Sequence, residues 1–265
     1  MTRVQWVIQT NIGPDDEKNR IIEAVKNTPN TRYVPIKIRP FTDELPDLHH
    51  SQEPTVVYGA TGFINNVYKS GLWNPGVFFD EVNFNYVAWY MNYGPTLLNY
   101  EGVTIYSFED FAHQDFDSST LFFIRPVKDL KEFSGTVIEF GELQAWHKRL
   151  LGTELDPQTE IVVAPPQNIR EEWRTFVVDG RVVTGSHYRT DGRLAVHPGL
   201  PVHVIAFVER LSKVWSPAPV FCMDVAEDEE GKLKVIEINC FNSSGLYASD
   251  ALDIVSGINN YLLKK

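Results

Sequence analysis

The residues with the clearest chemical potential stand near the C-terminus, in the stretch VIEINCFNSSG at residues 235–245. Its apolar alternation predicts a β-strand, in which successive side chains point to opposite faces. Glu237 and Asn239 therefore share one face, while two isoleucines and a cysteine share the other. One face is apolar, and the other carries a carboxylate and an amide that could act as ligands.

A second carboxylate belongs to the same predicted hairpin. The stretch VFCMDVAEDEEGKLK precedes the strand, and a four-residue turn over residues 229–232 pairs Ala226 with Val235. The same register places Asp224 directly opposite Glu237. Like charges in this position repel, and their unpaired burial is costly, so we expect a positive group between them.

The chemistry of these three side chains favours a hard cation. Mg²⁺ binds oxygen ligands and typically takes one or two carboxylates, sharing its remaining positions with water and substrate phosphates. Asp224, Glu237 and Asn239 fit that pattern and indicate a face for a metal–nucleotide complex. The alternative is that the two acids lie on the solvated side of an edge hairpin.

A second hairpin carries basic residues. WRTFVVDGRVVTGSHYR predicts two strands joined at Asp179–Gly180, a register that pairs Arg174 with Gly185 and puts Arg174 and Arg189 on one face. By parity His187 lies on that face too. Guanidinium groups bind phosphate and carboxylate oxygens bidentately, so converging arginines favour a polyphosphate or acyl phosphate. Each arginine alone could equally be a solvated or salt-bridged side chain.

The order of elements predicts an α/β organisation. In the first third, strand-like and helix-like patterns alternate, which is typical of a small parallel sheet with helices on its faces. Pro14 and the acids after it mark the start of the first helix. After residue 107 the strands form predicted hairpins, with two further helices before and after the last one, the second capped at Ser249. We predict a domain boundary near residues 100–110.

Composition restricts the function classes. The 265 residues are 43% hydrophobic, which is enough for a substantial core, and the formal net charge of −11 argues against sequence-independent nucleic-acid binding. Cys222 and Cys240 form no Cys-x-x-Cys pair and predict buried thiols in a reducing compartment. No apolar run reaches the length of a membrane span, and the first ten residues lack a signal-peptide core. We therefore expect a cytoplasmic protein.

Taken in order, FFIRP, EIVVAPP, EEWRTFVVDGRVVTGSHYR, MDVA and VIEINCFNSSGL resemble the ATP-grasp superfamily over residues 105–265. The Arg-bearing hairpin followed by the final D and E-x-N elements is the specific part of this resemblance. It implies an α/β (α+β) ATP-grasp fold preceded by a small N-terminal α/β domain. The implied domains are residues 1–105, a pre-ATP-grasp domain, and residues 106–265, the ATP-grasp domain.

The resemblance also implies roles for single residues. Metal ligands fall on Asp224, Glu237 and Asn239, and the arginines that hold phosphate and the developing acyl phosphate fall on Arg174 and Arg189. The implied nucleotide-binding residues are Arg125, Lys128, Lys131, Glu160, Val162, Val163 and Glu172.

Two departures from the superfamily pattern concern this nucleotide-binding set. The loop over residues 127–135 is poor in glycine, so Lys128 or Lys131 would contact the phosphates there. Glu172 stands where an Asp is common, which leaves the role of that acid open.

The implied activity is an ATP-dependent, ADP-forming ligase that joins a carboxylate to an amine, or to a thiol, through an acyl phosphate, with ATP and Mg²⁺ bound in a cleft. A phosphotransferase and a non-catalytic nucleotide-binding module are the alternatives. The expected partners are small-molecule or peptide acids and amines, with no bare nucleic acid and no membrane, and a homodimer stays open. Tyr86, Trp89 and Tyr93 could line a substrate pocket, but their apolar character favours a core position.

Overall fold

A computed structural model of the protein describes residues 3–13, 15–39, 45, 52–128, 133–150 and 156–264. The chain forms two compact units, one of Met1–Asp80 with Ile169–Lys265 and the other of Glu81–Asn168. The predicted boundary near residue 105 divides the chain by its resemblance rather than by internal contacts, and it stays a prediction. Pro14, the predicted start of the first helix, lies outside the described residues.

The first unit begins with the predicted parallel sheet, in the strand order β2-β1-β3-β4. Its elements are β1 (Val4–Gln9), α1 (Asp15–Asn27), β2 (Thr31–Ile36), β3 (Thr55–Tyr58), α2 (Thr61–Ser70) and β4 (Pro75–Gly76). Every residue of β1 and β3 is buried, as expected for central strands of a parallel sheet. The prediction of a small parallel sheet is confirmed.

The second unit contains an antiparallel sheet in the order β5-β8-β6-β7. Its elements are α3 (Tyr86–Tyr93), β5 (Thr104–Ser107), α4 (Phe108–Ala112), β6 (Leu121–Pro126), β7 (Thr136–Glu139), α5 (Leu143–Leu150) and β8 (Glu160–Ala164). The aromatic side chains of α4 pack with apolar residues of β6, β7 and β8 to form the core of this unit. Tyr86, Trp89 and Tyr93 of α3 are buried, which confirms their predicted core position.

The rest of the first unit is an antiparallel sheet in the order β11-β10-β9-β12-β13. Its elements are β9 (Glu171–Val178), β10 (Arg181–Thr190), β11 (Arg193–Pro198), α6 (Val202–Val214), β12 (Val220–Glu227), β13 (Leu233–Asn239) and α7 (Ala251–Leu263). Sequence analysis missed β11, although Asp191–Gly192, both with positive φ, form the kind of turn that the Asp-Gly dipeptide favours. Asp250 caps α7 by accepting from the Leu252 and Asp253 amides, so the predicted cap at Ser249 is wrong.

One hydrophobic core joins the two sheets of the first unit. Phe241, directly after β13, lies edge-to-face against Trp6 of β1 and Phe176 of β9, and the buried residues of α1 and α7 belong to the same cluster. The Trp6 indole also donates to Asn259 Oδ1 of α7 at 2.9 Å. The strand that carries Glu237 and Asn239 is therefore fixed to the parallel sheet at its end. None of the described helices is long and apolar enough to cross a bilayer.

Candidate functional site

The β12–β13 hairpin places Asp224 opposite Glu237, as predicted. Its turn is one residue longer than predicted, because the strands end at the pair Glu227–Leu233. The predicted pairing of Ala226 with Val235 is therefore wrong. A β-bulge then adds one residue on β13 before Glu237, and this second shift restores the register at the pair of carboxylates.

The two carboxylates and the amide form one cluster. Asn239 Nδ2 donates to Glu237 Oε1 at 2.9 Å and to Asp224 Oδ2 at 3.4 Å. Asp224 and Asn239 are 2% and 5% exposed, whereas the Glu237 side chain keeps 29% of its surface accessible. The prediction that these three side chains share one face is confirmed, and Glu237 is the member open to a ligand.

Arg174 of β9 supplies the positive group expected between the acids. Its Nε and Nη2 donate to the two carboxylate oxygens of Asp224 at 2.9 and 2.7 Å, and its Nη1 donates to the Gly245 carbonyl at 3.2 Å. Nη2 also lies 3.8 Å from Glu237 Oε1. A bidentate pair of this kind fixes both the guanidinium plane and the carboxylate.

A charge deficit remains in the cluster. Burial raises the pKa of Asp224 to about 7, an effect that Arg174 opposes and Glu237 reinforces. Glu172, Asp224 and Glu237 carry three formal negative charges against two on Arg174 and Arg189. One further cation is therefore compatible with the site on electrostatic grounds.

The donor set fits Mg²⁺ only if the ion shares its ligands with a substrate. In the described part of the chain, no three or more His, Cys, Asp or Glu side chains are arranged to hold a metal ion. A cation here would depend on two carboxylates and the amide oxygen of Asn239, whose nitrogen already faces the acids. Mg²⁺ commonly uses such a partial set and completes it with water and phosphate oxygens.

Arg189 reaches the same face through an unexpected register. A bulge in β10 pairs Arg174 with Ser186, so the predicted partner Gly185 is wrong. A second bulge, with Tyr188 as the extra residue, pairs Arg189 with Glu172. Because Glu172 and Arg174 are two residues apart on β9, Arg189 still lies near the face of Arg174, as predicted.

His187 lies on the opposite face of the sheet. Its Nε2 is 2.6 Å from Glu171 Oε2, and its ring packs against Trp173. The prediction that His187 shares a face with Arg189 is wrong, because the bulge at Tyr188 separates their parities. This histidine therefore takes no part in the cluster.

Glu172 connects Arg189 to a buried tyrosine. Its Oε2 accepts a 2.7 Å hydrogen bond from Tyr188, and its Oε1 lies 3.5 Å from Arg189 Nη1. Glu172 exposes 7% of its side chain and Arg189 exposes 44%. The acid is thus an internal anchor, and the guanidinium of Arg189 extends into solvent.

Sequence analysis missed the aromatic residues of the site. The rings of Tyr188 and Tyr247 stack at 4.7 Å with an interplanar angle of 7°. Neither residue belongs to the motifs that pointed to the site, and Tyr247 stands in the loop after β13. The signal that could have found Tyr188 is the bulge, which two-residue alternation does not predict.

The second unit holds the residues predicted to contact the nucleotide phosphates. Arg125 of β6 is 7% exposed, and its guanidinium lies 4.9 Å from the Trp89 ring. Val162 of β8 pairs directly with Arg125 and so shares its face of the sheet. Lys128 is exposed, and Lys131 lies outside the described residues.

The predicted adenine-binding segment is an internal strand. β8 lies between β5 and β6, so the backbone groups of Val162 and Val163 belong to the sheet ladders. Val163 also packs in the core of this unit, whereas Glu160 is exposed at the start of the strand. Their contact with adenine stays a prediction, and the side chain of Val162 has the more suitable position.

Gly185 allows the close approach of β10 to Arg174. An added Cβ would lie 2.6 Å from the Arg174 carbonyl oxygen and 2.5 Å from a methyl of Leu200. We expect Gly185→Ala to lower the free energy of unfolding by about 1–3 kcal/mol through overpacking, as measured by urea denaturation. Gly62→Ala is the control, because an added Cβ there meets nothing within 4 Å. Equal midpoints for the two variants would contradict the close approach.

Comparison with known proteins places this arrangement in a family context. A family model described as an ATP-grasp domain, clade family 3, matches residues 62–258. A search of curated proteins gives no match.

Several solved structures share the fold over the whole chain. D-cycloserine synthetase DcsG is 12% identical with a TM-score of 0.63, and the match covers 98% of this chain and 99% of that one. D-alanine–D-alanine ligase from Bacillus anthracis is 12% identical with a TM-score of 0.62, covering 100% and 98%. The ATP-grasp ligase PsnB, complexed with a minimal precursor, is 12% identical with a TM-score of 0.59, covering 99% of each chain. The predicted ATP-grasp fold is confirmed.

Proposed function

The chain belongs to the ATP-grasp domain family whose model it matches, and from this premise we propose that it is an ATP-dependent, ADP-forming ligase. It would join a carboxylate to an amine, or to a thiol, through an acyl phosphate. The observation that carries the proposal is the cluster of Asp224, Glu237 and Asn239 with Arg174 inside it. Such a cluster offers both metal ligands and fixed positive charge at one place.

Mg²⁺ would be held by Glu237, Asp224 and the amide oxygen of Asn239. When bound, the ion neutralises phosphate charge and orients the triphosphate. Arg174 keeps the Asp224 carboxylate in one orientation, because both of its oxygens accept from the guanidinium. Arg174 thus takes its proposed catalytic part from within the cluster.

Arg189 is the guanidinium proposed to contact the phosphoryl group in transfer. Its side chain is 44% exposed, and Glu172 restrains it from behind. A substrate carboxylate oxygen attacks the γ-phosphorus, the bond to ADP breaks, and an acyl phosphate forms. The amine then attacks the acyl carbon, phosphate leaves, and the amine loses a proton. These steps need positioned charge rather than a side-chain nucleophile.

The second unit would supply the remaining nucleotide contacts. We propose that Arg125 and Lys128 bind phosphates and that Val162 packs on the base, with Glu160, Val163 and Lys131 as further members of the predicted set. The Trp89 ring holds the Arg125 guanidinium in place, which lowers the entropy lost when an anion binds.

A cavity of about 510 Å³ in the first unit has a suitable size for a small substrate. Its lining includes Arg20, Thr184, Gly199, Ser249 and Leu252. Among the solved structures with this fold, the ligase PsnB is complexed with a precursor peptide. We therefore propose small-molecule or peptide acids and amines as substrates, in the cytoplasm.

Release of ADP tests the proposal. The protein is incubated with Mg-ATP and with panels of acids and amines, each alone and in pairs. A ligase releases ADP only when an acid and an amine, or a thiol, are both present, and the product contains both. A phosphotransferase needs one acceptor. A binding module gives no ADP with any pair, which would overturn the proposed activity.

We expect ATP to bind weakly without a divalent metal, because Asp224 and Glu237 then face the phosphates as anions. Titration calorimetry with and without Mg²⁺ measures the difference, which we expect to be at least about tenfold in Kd, or about 1.4 kcal/mol. In Glu237→Gln the metal dependence should shrink. Equal affinities in wild type with and without Mg²⁺ would exclude the metal role of the cluster.

A further inference from the structure

Two tyrosines and two arginines form a continuous stack in the first unit. The Arg174 guanidinium lies 5.1 Å from the Tyr247 ring, Tyr247 stacks on Tyr188, and the Arg189 guanidinium lies 5.9 Å from the Tyr188 ring. Cations are attracted to the faces of aromatic rings. We call this arrangement the Arg–Tyr stack, and it connects the two arginines proposed for catalysis.

Tyr247 holds an unfavourable backbone conformation within the stack. Its φ is 49°, in the left-handed region that a bulky L-residue rarely adopts. A glycine would adopt this conformation without steric cost. The presence of a tyrosine here therefore indicates that the ring contributes something that the backbone conformation alone does not require.

Helix α1 fixes the backbone on both sides of this ring. Glu17 Oε1 accepts a 2.9 Å hydrogen bond from the Tyr247 amide. The Arg20 guanidinium donates to the carbonyls of Tyr247 and Ser249. The left-handed residue is thus held at its amide and its carbonyl by side chains from a helix at the other end of the sequence.

We propose that Tyr247 is a positioning residue, whose ring holds Arg174 against Asp224 and, through Tyr188, restrains Arg189. Asp224 and the Gly245 carbonyl fix the edge of the Arg174 guanidinium, and the Tyr247 ring covers its face. Restraint of a catalytic guanidinium before substrate binds lowers the cost of reaching the productive geometry. The link to turnover rests on the proposed function, whereas the restraint of Arg174 does not.

The test compares three substitutions at one position. Tyr247→Gly and Tyr247→Asn both remove the ring and tolerate the left-handed backbone. Tyr247→Phe keeps the ring and loses only the hydroxyl. Circular dichroism and a melting curve establish that each variant is folded at the temperature of measurement.

The first readout is exchange of the Arg174 Nε proton with water, measured by ¹⁵N NMR and assigned by loss of its signal in Arg174→Lys. We expect Gly and Asn at position 247 to accelerate this exchange by about tenfold, the ratio expected from a lost cation–π contact. Phe should stay within about twofold of wild type. Unchanged exchange in Gly and Asn, or equal acceleration in Phe, would overturn the proposal.

The second readout is ADP release with the acid and amine found by the screen. We expect Gly and Asn to lower kcat by about tenfold with KM for Mg-ATP within about twofold, and Phe to restore the rate. Wild-type kcat in the ring-less variants would overturn the catalytic part. If wild type releases no ADP at all but Arg174 exchange responds as expected, the proposed function fails while the positioning role stands.

Discussion

Replacing Asp224 with asparagine is expected to abolish Mg-ATP-dependent turnover and to lower the free energy of unfolding by about 3–5 kcal/mol. Asp224 is 2% exposed, and its carboxylate is bound at both oxygens by Arg174, which is 9% exposed. Asparagine keeps one oxygen acceptor and loses the charge, so the buried guanidinium remains without its counter-ion. Urea denaturation measures the stability, and ADP release measures the activity.

Glu237→Gln is the matched control for the two effects. Glu237 lies 3.8 Å from the Arg174 guanidinium and is 29% exposed at its side chain, so its charge contributes little to stability. We expect this variant to lose turnover with an unfolding free energy within about 1 kcal/mol of wild type. If Asp224→Asn were as stable as Glu237→Gln, the bidentate pair would not carry the stabilisation assigned to it.

The sequence predicted the chemistry of the site better than its register. Alternation placed Asp224, Glu237 and Asn239 on one face, and the structure has them there. The assumed turn was one residue too short, and a bulge in β13 compensated for the error. Bulges depend on packing of both strands and on the twist of the sheet, which the two-residue period does not contain.

The same limit explains the residues that were missed. Tyr188 reaches Glu172 because it is the extra residue of a bulge. Tyr247 reaches Arg174 because its backbone is left-handed, and its anchor Glu17 is distant in the sequence. Local patterns report which side chains alternate, but a contact between α1 and the loop after β13 is set by the shared core. The metal-like cluster was therefore predictable, and the support behind it was not.

The positive group between the acids shows how an electrostatic argument can be right in kind and still leave its agent open. Opposed carboxylates required a cation, and a protein guanidinium, Arg174, occupies that place. This does not remove the case for a metal, because three acids face two arginines in the cluster. It does assign different work to the two arginines, since Arg174 is buried and Arg189 is accessible.

Arg189→Ala is expected to lower kcat by about 10²–10³ while the affinity for Mg-ATP changes little. The guanidinium is 44% exposed and is held at 3.5 Å by Glu172, so it can meet charge that develops on the transferring phosphoryl group. A contact that strengthens only in the transition state affects kcat and kcat/KM equally. Steady-state ADP release gives kcat, and calorimetry gives the Kd of Mg-ATP.

Arg181→Ala is the control on the same strand. Its guanidinium is 74% exposed and pairs with Glu209 at 3.7 Å, a surface ion pair of small energetic weight, so turnover should equal that of wild type. Arg189→Lys should recover part of the rate, because the charge is kept and the planar two-point contact is lost. A wild-type kcat with a raised KM in Arg189→Ala would assign the residue to binding of the ground state. Equal loss in Arg181→Ala would show that the effect comes from the charge of the strand as a whole, and the position of Arg189 beside Glu172 would then carry no special role.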